Sequence, residues 1–282
     1  MQLWQLAILA IVQGLAELLP ISSSAHVIVA EKLLGLDPTA PQMTLLLVML
    51  HTGTMFAVIA YFWRSWRDTY FSSWPAFRAI ALRVLLATAL TGIVGLGLQA
   101  FIKHAFAAGA SDFQVEDLFG NAKLMAAALA AVGVLIIVSS RFQQSAGADS
   151  VSLPQAGWIG VVQGICLPFR GFSRSGATIS TGMILGVARR RAEEFSFALA
   201  VVLTPPVILR ELHRLHKAQQ AVGVGSGGSL RHAVLPSLIG MALSFVAGML
   251  ALRWLSRALE AGRWHLFGAY CLVAALVVLW VG

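Results

Sequence analysis

The sequence predicts an all-α integral membrane protein with six transmembrane helices and two re-entrant helical hairpins arranged as inverted repeats. Hydrophobic residues make up 58% of the chain and charged residues only 11%, whereas soluble domains carry about 25% charged residues. Its apolar segments approach the ~20 residues that a helix needs to cross a bilayer. They also lack the alternation of β-barrel strands, which favours helices.

Two polar stretches interrupt the apolar segments and resemble each other. Residues 12–29 read VQGLAELLPISSSAHVIV, and residues 162–180 read VQGICLPFRGFSRSGATIS. We therefore interpret residues 1–282 as a single polytopic membrane domain, with repeats over about 1–140 and 151–282. Inverted repeats in transporters place the functional site near the bilayer midplane, where broken helices meet.

The first hairpin is predicted from an apolar helix over residues 3–19 that stops at Pro20. Proline disfavours a helical conformation in the residue before it. At 1.5 Å per residue, this helix reaches ~25 Å, which is short of the ~30 Å hydrocarbon core. Ser22 or Ser23 is predicted to cap a second short helix that runs towards Leu34. Residues 151–169 and 173–187 form the second hairpin in the same way.

The remaining apolar segments predict six membrane spans. They cover residues 42–63, 78–102, 122–138, 195–209, 233–255 and 265–281. In this topology the cationic residues are shared unequally between the two sides, and the richer side is predicted to be cytoplasmic.

Glu17 is the one acidic residue inside an apolar stretch and away from its ends. A carboxylate at such a position costs at least ~2.5 kcal/mol on insertion scales, so it requires a partner or a wet cavity. Gln13 lies one turn earlier and shares its helix face. The alternative is a structural carboxylate that caps a neighbouring helix or pairs with an arginine.

His26 follows three serines and the helix break within ten residues of Glu17. A neutral imidazole near pH 7 can donate or accept a proton, or attack phosphorus directly. A histidine in a membrane helix can also serve packing alone, but the neighbouring acid and hydroxyls favour a chemical role.

Arg174 begins the second polar helix and gives the clearest indication of phosphate binding. Gly171 permits a tight turn and Ser173 is predicted to cap the helix, so the free N–H groups of the first turn point towards an anion. The planar guanidinium of Arg174 fits phosphate oxygens. A buried Arg174–Glu17 salt bridge with a purely structural role is the alternative. The predicted phosphate-binding residues are Ser24, Ser173, Arg174, Ser175, Gly176 and Thr178.

Several function classes are excluded by missing patterns. The sequence contains no Walker motif, no H-E-x-x-H helix and no G-x-S-x-G elbow, which argues against an energy-coupled pump and a serine lipase. The net charge of +8 is assigned to membrane orientation and anionic lipid contact. Nucleic acid is not an expected partner.

The segments QGLAELLPISSSAH and RGFSRSGATIS resemble the two signatures of the undecaprenyl-diphosphate phosphatases, the bacitracin-resistance family. The first signature reads approximately (E/Q)G-x-T-E-F-L-P-x-S-S-(S/T)-G-H and the second P-G-x-S-R-S-G-A-T. Residues 50–64 and 191–208 carry supporting similarity. Three positions depart from the signatures: Ala16 replaces threonine, Ala25 replaces glycine, and Arg170 replaces proline.

The resemblance implies a hydrolase that converts undecaprenyl diphosphate to undecaprenyl phosphate and inorganic phosphate, which recycles the cell-wall lipid carrier. It implies Glu17, Ser23, His26 and Arg174 as catalytic residues, and leaves the nucleophile open among Ser23, His26 and water. Glu17 would orient His26 or, with Gln13, hold a divalent cation, expected to be Mg²⁺.

The same resemblance implies a multi-pass protein of the bacterial cytoplasmic (inner) membrane. Its partners would be a polyprenyl diphosphate lipid and membrane lipids, and a homodimer is a candidate assembly. The main alternative is a flippase or transporter of polyprenyl phosphates or another anion, because inverted repeats suit alternating access equally well. A structural membrane subunit is a third option, which leaves His26 and the serines unexplained.

Overall fold

The computed structural model describes residues 2–36, 41–106, 121–142, 147–222 and 227–281. Within these ranges the chain is helical and contains no β-strand, which confirms the all-α class. The helices are α1 (Leu3–Leu18), α2 (Ser23–Leu33), α3 (Pro41–Thr69), α4 (Trp74–Phe106), α5 (Ala122–Ser139), α6 (Leu153–Cys166), α7 (Arg174–Ile184), α8 (Arg189–Val222), α9 (Gly227–Glu260) and α10 (Trp264–Val281).

Both predicted helix breaks are present. Helix α1 ends two residues before Pro20, and Leu19 has an extended backbone with φ −75° and ψ 151°. Helix α6 ends at Cys166, and α7 begins only at Arg174. The sequence therefore located the two interruptions and the short helices on either side of them.

Five helices are long and apolar enough to cross a membrane. Their apolar segments are Met43–Thr69, Trp74–Ala105, Ala122–Phe142, Arg189–His213 and Val234–Glu260. The sixth predicted span is helix α10, whose apolar segment Trp264–Trp280 falls among the shorter helices. Many large hydrophobic side chains on these helices are exposed, as expected for surfaces that face lipid. The chain is thus a multi-pass helical membrane protein.

Helix α8 is longer than predicted. It continues through Pro205 and Pro206 to Val222, although the sequence predicted a span that ends at residue 209. Hydropathy falls beyond the apolar segment while the backbone remains helical, so a prediction based on hydropathy placed the helix end too early.

Two equivalent glycines bring the hairpins against helices from the opposite half of the chain. A Cβ atom on Gly14 of α1 would lie 2.8 Å from the Ser244 carbonyl oxygen of α9. A Cβ atom on Gly164 of α6 would lie 2.9 Å from the Thr91 carbonyl oxygen of α4. Backbones this close leave no room for a larger residue, so each hairpin is anchored on the other half.

Helices α5 and α10 cross at a third close contact between glycines. A Cβ atom on Gly133 would lie 2.9 Å from the carbonyl oxygen of Gly268, and one on Gly268 would lie 2.6 Å from that of Gly133. Small residues at such crossings allow membrane helices to approach closely.

Candidate active site

The breaks in the two hairpins meet at a cavity of about 200 Å³. Both hairpins contribute polar side chains to its wall. These are Glu17, Ser22, Ser23 and Ser24 from the first hairpin, and Arg170, Ser173, Arg174 and Ser175 from the second. The structure therefore brings together most of the site residues predicted from the sequence.

Glu17 is the centre of the hydrogen-bond network in this cavity. Its Oε2 accepts hydrogen bonds from Ser23 Oγ at 2.5 Å and from Gln13 Nε2 at 3.2 Å. Its Oε1 lies 3.4 Å from Nη2 of Arg174. The Glu17 side chain is only 17% exposed, so these partners replace the water that would otherwise solvate its charge. A carboxylate bonded to a serine hydroxyl in this way can accept the hydroxyl proton.

His51 of α3 is a site residue that the sequence prediction missed. Its Nδ1 lies 2.8 Å from the Leu47 carbonyl oxygen, which only accepts hydrogen bonds, so Nδ1 carries a proton. Its Nε2 lies 3.6 Å from Oε2 of Glu17, and this contact is attractive only when Nε2 is protonated as well. The detectable signal was the polar run His51-Thr52-Gly53-Thr54 inside an apolar helix.

His26 has different neighbours from those predicted. Its Nδ1 lies 2.8 Å from the Ser22 carbonyl oxygen, and its Nε2 lies 2.7 Å from the hydroxyl oxygen of Tyr270. The two rings stack with centroids 5.7 Å apart and planes at 16°. The prediction that Glu17 orients His26 is therefore corrected, because Ser22 and Tyr270 hold the imidazole. Tyr270 was also missed, since it lies 244 positions away in the chain.

Ser22 occupies an unusual backbone conformation at the first break. Its φ of 68° makes it the one non-glycine residue with positive φ in the described ranges. Such a conformation costs on the order of 1–3 kcal/mol and commonly marks functional sites. The hydroxyl of Ser22 makes no capping hydrogen bond to α2, and Ser23 is bonded to Glu17. Ser22 is therefore the N-cap residue of α2, as predicted, but its side chain does not make the predicted capping hydrogen bond.

The turn of the second hairpin agrees with its prediction. Gly171 has φ +100°, and a Cβ atom there would lie 2.4 Å from the Met125 carbonyl oxygen, so only glycine fits. Ser173 caps α7 by accepting a hydrogen bond from the Gly176 N–H at 3.3 Å. Arg174 is the first residue of α7 and is directed at Glu17.

Gly176 and Thr178 do not line the cavity, contrary to their prediction as phosphate-binding residues. The N–H of Gly176 is engaged by Ser173. Thr178 is fully buried, and its hydroxyl lies 2.6 Å from Ser196 Oγ of α8. Thr178 shares a helix face with Arg174, but that part of the face packs against α8. Both residues therefore support the shape of the site and do not contact its contents.

The predicted cation site has a single carboxylate. No group of three or more His, Cys, Asp or Glu residues arranged to hold a metal occurs in the described ranges. The amide of Gln13 is buried and donates to Glu17, so it supports Glu17 from behind. Mg²⁺ is commonly bound by one or two carboxylates together with substrate phosphates. Glu17 could therefore serve as a Mg²⁺ ligand only together with phosphate oxygens of a substrate.

An apolar groove of about 750 Å³ adjoins the cavity along α1, α9 and α10. Ala16 lines both spaces, and His26 and Tyr270 lie in the groove wall. A second apolar groove of about 440 Å³ lies along α1, α2 and α10 and shares Val12, His26 and Tyr270 with the first. The site thus combines a small charged cavity with a long hydrophobic space.

The fold and site together define a multi-pass membrane protein with an arginine- and serine-lined cavity beside apolar grooves, suited to an amphiphile with an anionic head. The family model described as bacitracin resistance protein BacA matches residues 6–277, and the chain belongs to that family. It is 63% identical over 279 residues to undecaprenyl-diphosphatase 2 of Acinetobacter baylyi, covering 99% of this chain and 98% of that protein. It is 33% identical to the undecaprenyl-diphosphatase of Desulfosudis oleivorans, covering 98% and 97% of the two chains.

Proposed function

We propose that this protein is a membrane phosphatase that hydrolyses undecaprenyl diphosphate to undecaprenyl phosphate and inorganic phosphate. The observation that carries the proposal is the 2.5 Å hydrogen bond from Ser23 to Glu17, in a cavity that also contains Arg174 and opens beside an apolar groove. The family and the names of the curated relatives agree with this activity. Recycling of the cell-wall lipid carrier follows from it.

The cavity meets the main demand of phosphoryl transfer, which is stabilisation of charge on the transferred group. The Arg174 guanidinium can form two parallel hydrogen bonds to phosphate oxygens. The hydroxyls of Ser24 and Ser173 add neutral donors around the same space. The prenyl chain would lie in the apolar groove that shares Ala16 with the cavity.

We assign the nucleophile to Ser23, because its hydroxyl is already bonded to a carboxylate. In the first step a bond forms between Ser23 Oγ and the terminal phosphorus, the Ser23 proton moves to Glu17, and the bond from that phosphorus to the bridging oxygen breaks. Undecaprenyl phosphate leaves and takes the proton from Glu17, which becomes a carboxylate again. In the second step Glu17 accepts a proton from water as the water attacks the phosphoserine, and it returns this proton to Ser23 Oγ as inorganic phosphate leaves. His26 fixes the Ser22 turn through its contact with the Ser22 carbonyl oxygen.

We propose Glu17 as the residue that would hold Mg²⁺ together with the substrate, and the ion would neutralise part of the charge of the diphosphate. Glu17 adds a negative charge next to an anionic substrate. Arg174 already offsets part of that charge.

The proposed membrane arrangement has α10 as the sixth span and α1–α2 and α6–α7 as re-entrant hairpins. The reciprocal contacts of Gly14 with α9 and Gly164 with α4 support two inverted repeats. We propose the bacterial cytoplasmic membrane as the location. A homodimer is the candidate assembly, and cross-linking of the protein in vesicles would test it.

Phosphate release from undecaprenyl diphosphate by the purified protein tests the proposal. We expect release by the unmodified protein, at least a hundredfold less by Ser23→Ala, and no change in Ser72→Ala, a serine in the exposed α3–α4 turn. Chelation with EDTA tests the role of Mg²⁺. Absence of phosphate release from the folded protein would overturn the assignment.

A flippase for polyprenyl phosphates is the second candidate, favoured by the two apolar grooves that meet at His26. Movement of labelled lipid across vesicles without phosphate release would support that candidate instead.

A further inference from the structure

We propose that Arg170 binds the second phosphate of the diphosphate at the mouth of the cavity. This inference rests on the proposed function, because it assigns a subsite within the same cavity. It concerns a residue at which the chain departs from the family signature, where proline is usual.

Arg170 has the position that such a subsite requires. It lines the cavity together with Arg174, and these are its two cationic side chains among the described lining residues. The two arginines lie on either side of Gly171, which has a positive φ of 100°. Arg174 is partly buried, whereas Arg170 is exposed. Arg174 therefore lies in the interior of the site and Arg170 at its entrance.

The two arginines therefore bring two guanidinium groups of the second hairpin to one cavity. Arg174 lies 3.4 Å from Glu17 of the first hairpin. A diphosphate carries charge on both of its phosphates, so one arginine would leave the second phosphate without a cation from the protein. A second guanidinium supplies that contact, with the strength of a charge-assisted hydrogen bond.

Binding of inorganic diphosphate and inorganic phosphate to purified protein tests the subsite. A lost hydrogen bond to a charged group weakens binding by about tenfold to a hundredfold. We expect that loss for diphosphate in both Arg170→Gln and Arg170→Pro, with less than a threefold change for phosphate. In the hydrolysis assay, KM for undecaprenyl diphosphate should rise by a similar factor while kcat changes little. Arg67→Gln, which removes an exposed arginine paired with Asp68, should change neither.

Equal losses for phosphate and diphosphate in Arg170→Gln would overturn the proposed subsite. If the unmodified protein binds diphosphate but releases no phosphate from the lipid, the catalytic assignment fails and the subsite stands. Unchanged diphosphate affinity in Arg170→Gln refutes the subsite alone.

Discussion

Replacement of Glu17 by glutamine is the most informative single change, because it keeps the side-chain volume and removes the charge. Glutamine cannot accept the Ser23 proton, so the general-base contribution is lost. That contribution is typically 10²–10⁴-fold, which corresponds to about 2.7–5.5 kcal/mol in the activation free energy. We expect kcat to fall within this range, with a smaller change in KM.

The same substitution also removes the partner of Arg174. Breaking a fully buried ion pair costs about 3–5 kcal/mol. The Glu17 and Arg174 side chains are 17% and 25% exposed, and their closest atoms are 3.4 Å apart, so a smaller loss of about 1–3 kcal/mol in the free energy of unfolding is expected. Thermal unfolding of the purified protein measures it.

The assay is phosphate release from undecaprenyl diphosphate, and the matched control is Glu260→Gln, an exposed carboxylate at the end of α9. The control should retain full activity. A folded Glu17→Gln protein with unchanged kcat would refute the role of Glu17 as the base for Ser23.

Three further predictions concern packing, the His26 contact and pH. Gly160→Ala should lower the free energy of unfolding by about 1–3 kcal/mol, because the new Cβ would lie 2.4 Å from the backbone of α4. The control is Gly97→Ala, whose Cβ would have no other atom within 4 Å. Thermal unfolding should show that this control is neutral or stabilising. Tyr270→Phe removes the hydroxyl bonded to His26 and should lower phosphate release by about threefold to tenfold, while an unchanged rate would exclude a role for this contact. The hydrogen bond from Arg191 lowers the pKa of Asp149. The Tm difference between the unmodified protein and Asp149→Asn should therefore be present at neutral pH and should decrease progressively as the pH falls below about 4.

Sequence reasoning located the features that depend on local chemistry. Pro20 and the serine run predicted the first break, and Gly171 with Ser173 predicted the second. Glu17 stood out because an isolated carboxylate in an apolar stretch requires partners. Each of these signals lies within a few residues of the feature it predicts.

The features that were missed depend on contacts between distant helices. His51 reaches Glu17 from α3, and Tyr270 reaches His26 from α10. Thr178 was assigned to the cavity because it shares a face with Arg174, but α8 occupies the space in front of it. Helical periodicity shows which residues share a face, and it does not show which neighbour covers that face.

The exchange of packing partners between the two halves has a consequence for biosynthesis. Gly14 packs against the backbone of Ser244, a residue that the ribosome adds 230 residues later. At about 5–20 residues per second, helix α1 waits roughly 10–45 s for this neighbour. During that interval the nascent chain must keep a polar, interrupted segment inside or beside the lipid without its final support. The first half of the chain therefore cannot reach its native packing on its own. Native packing of α1 must wait until α9 has been translated.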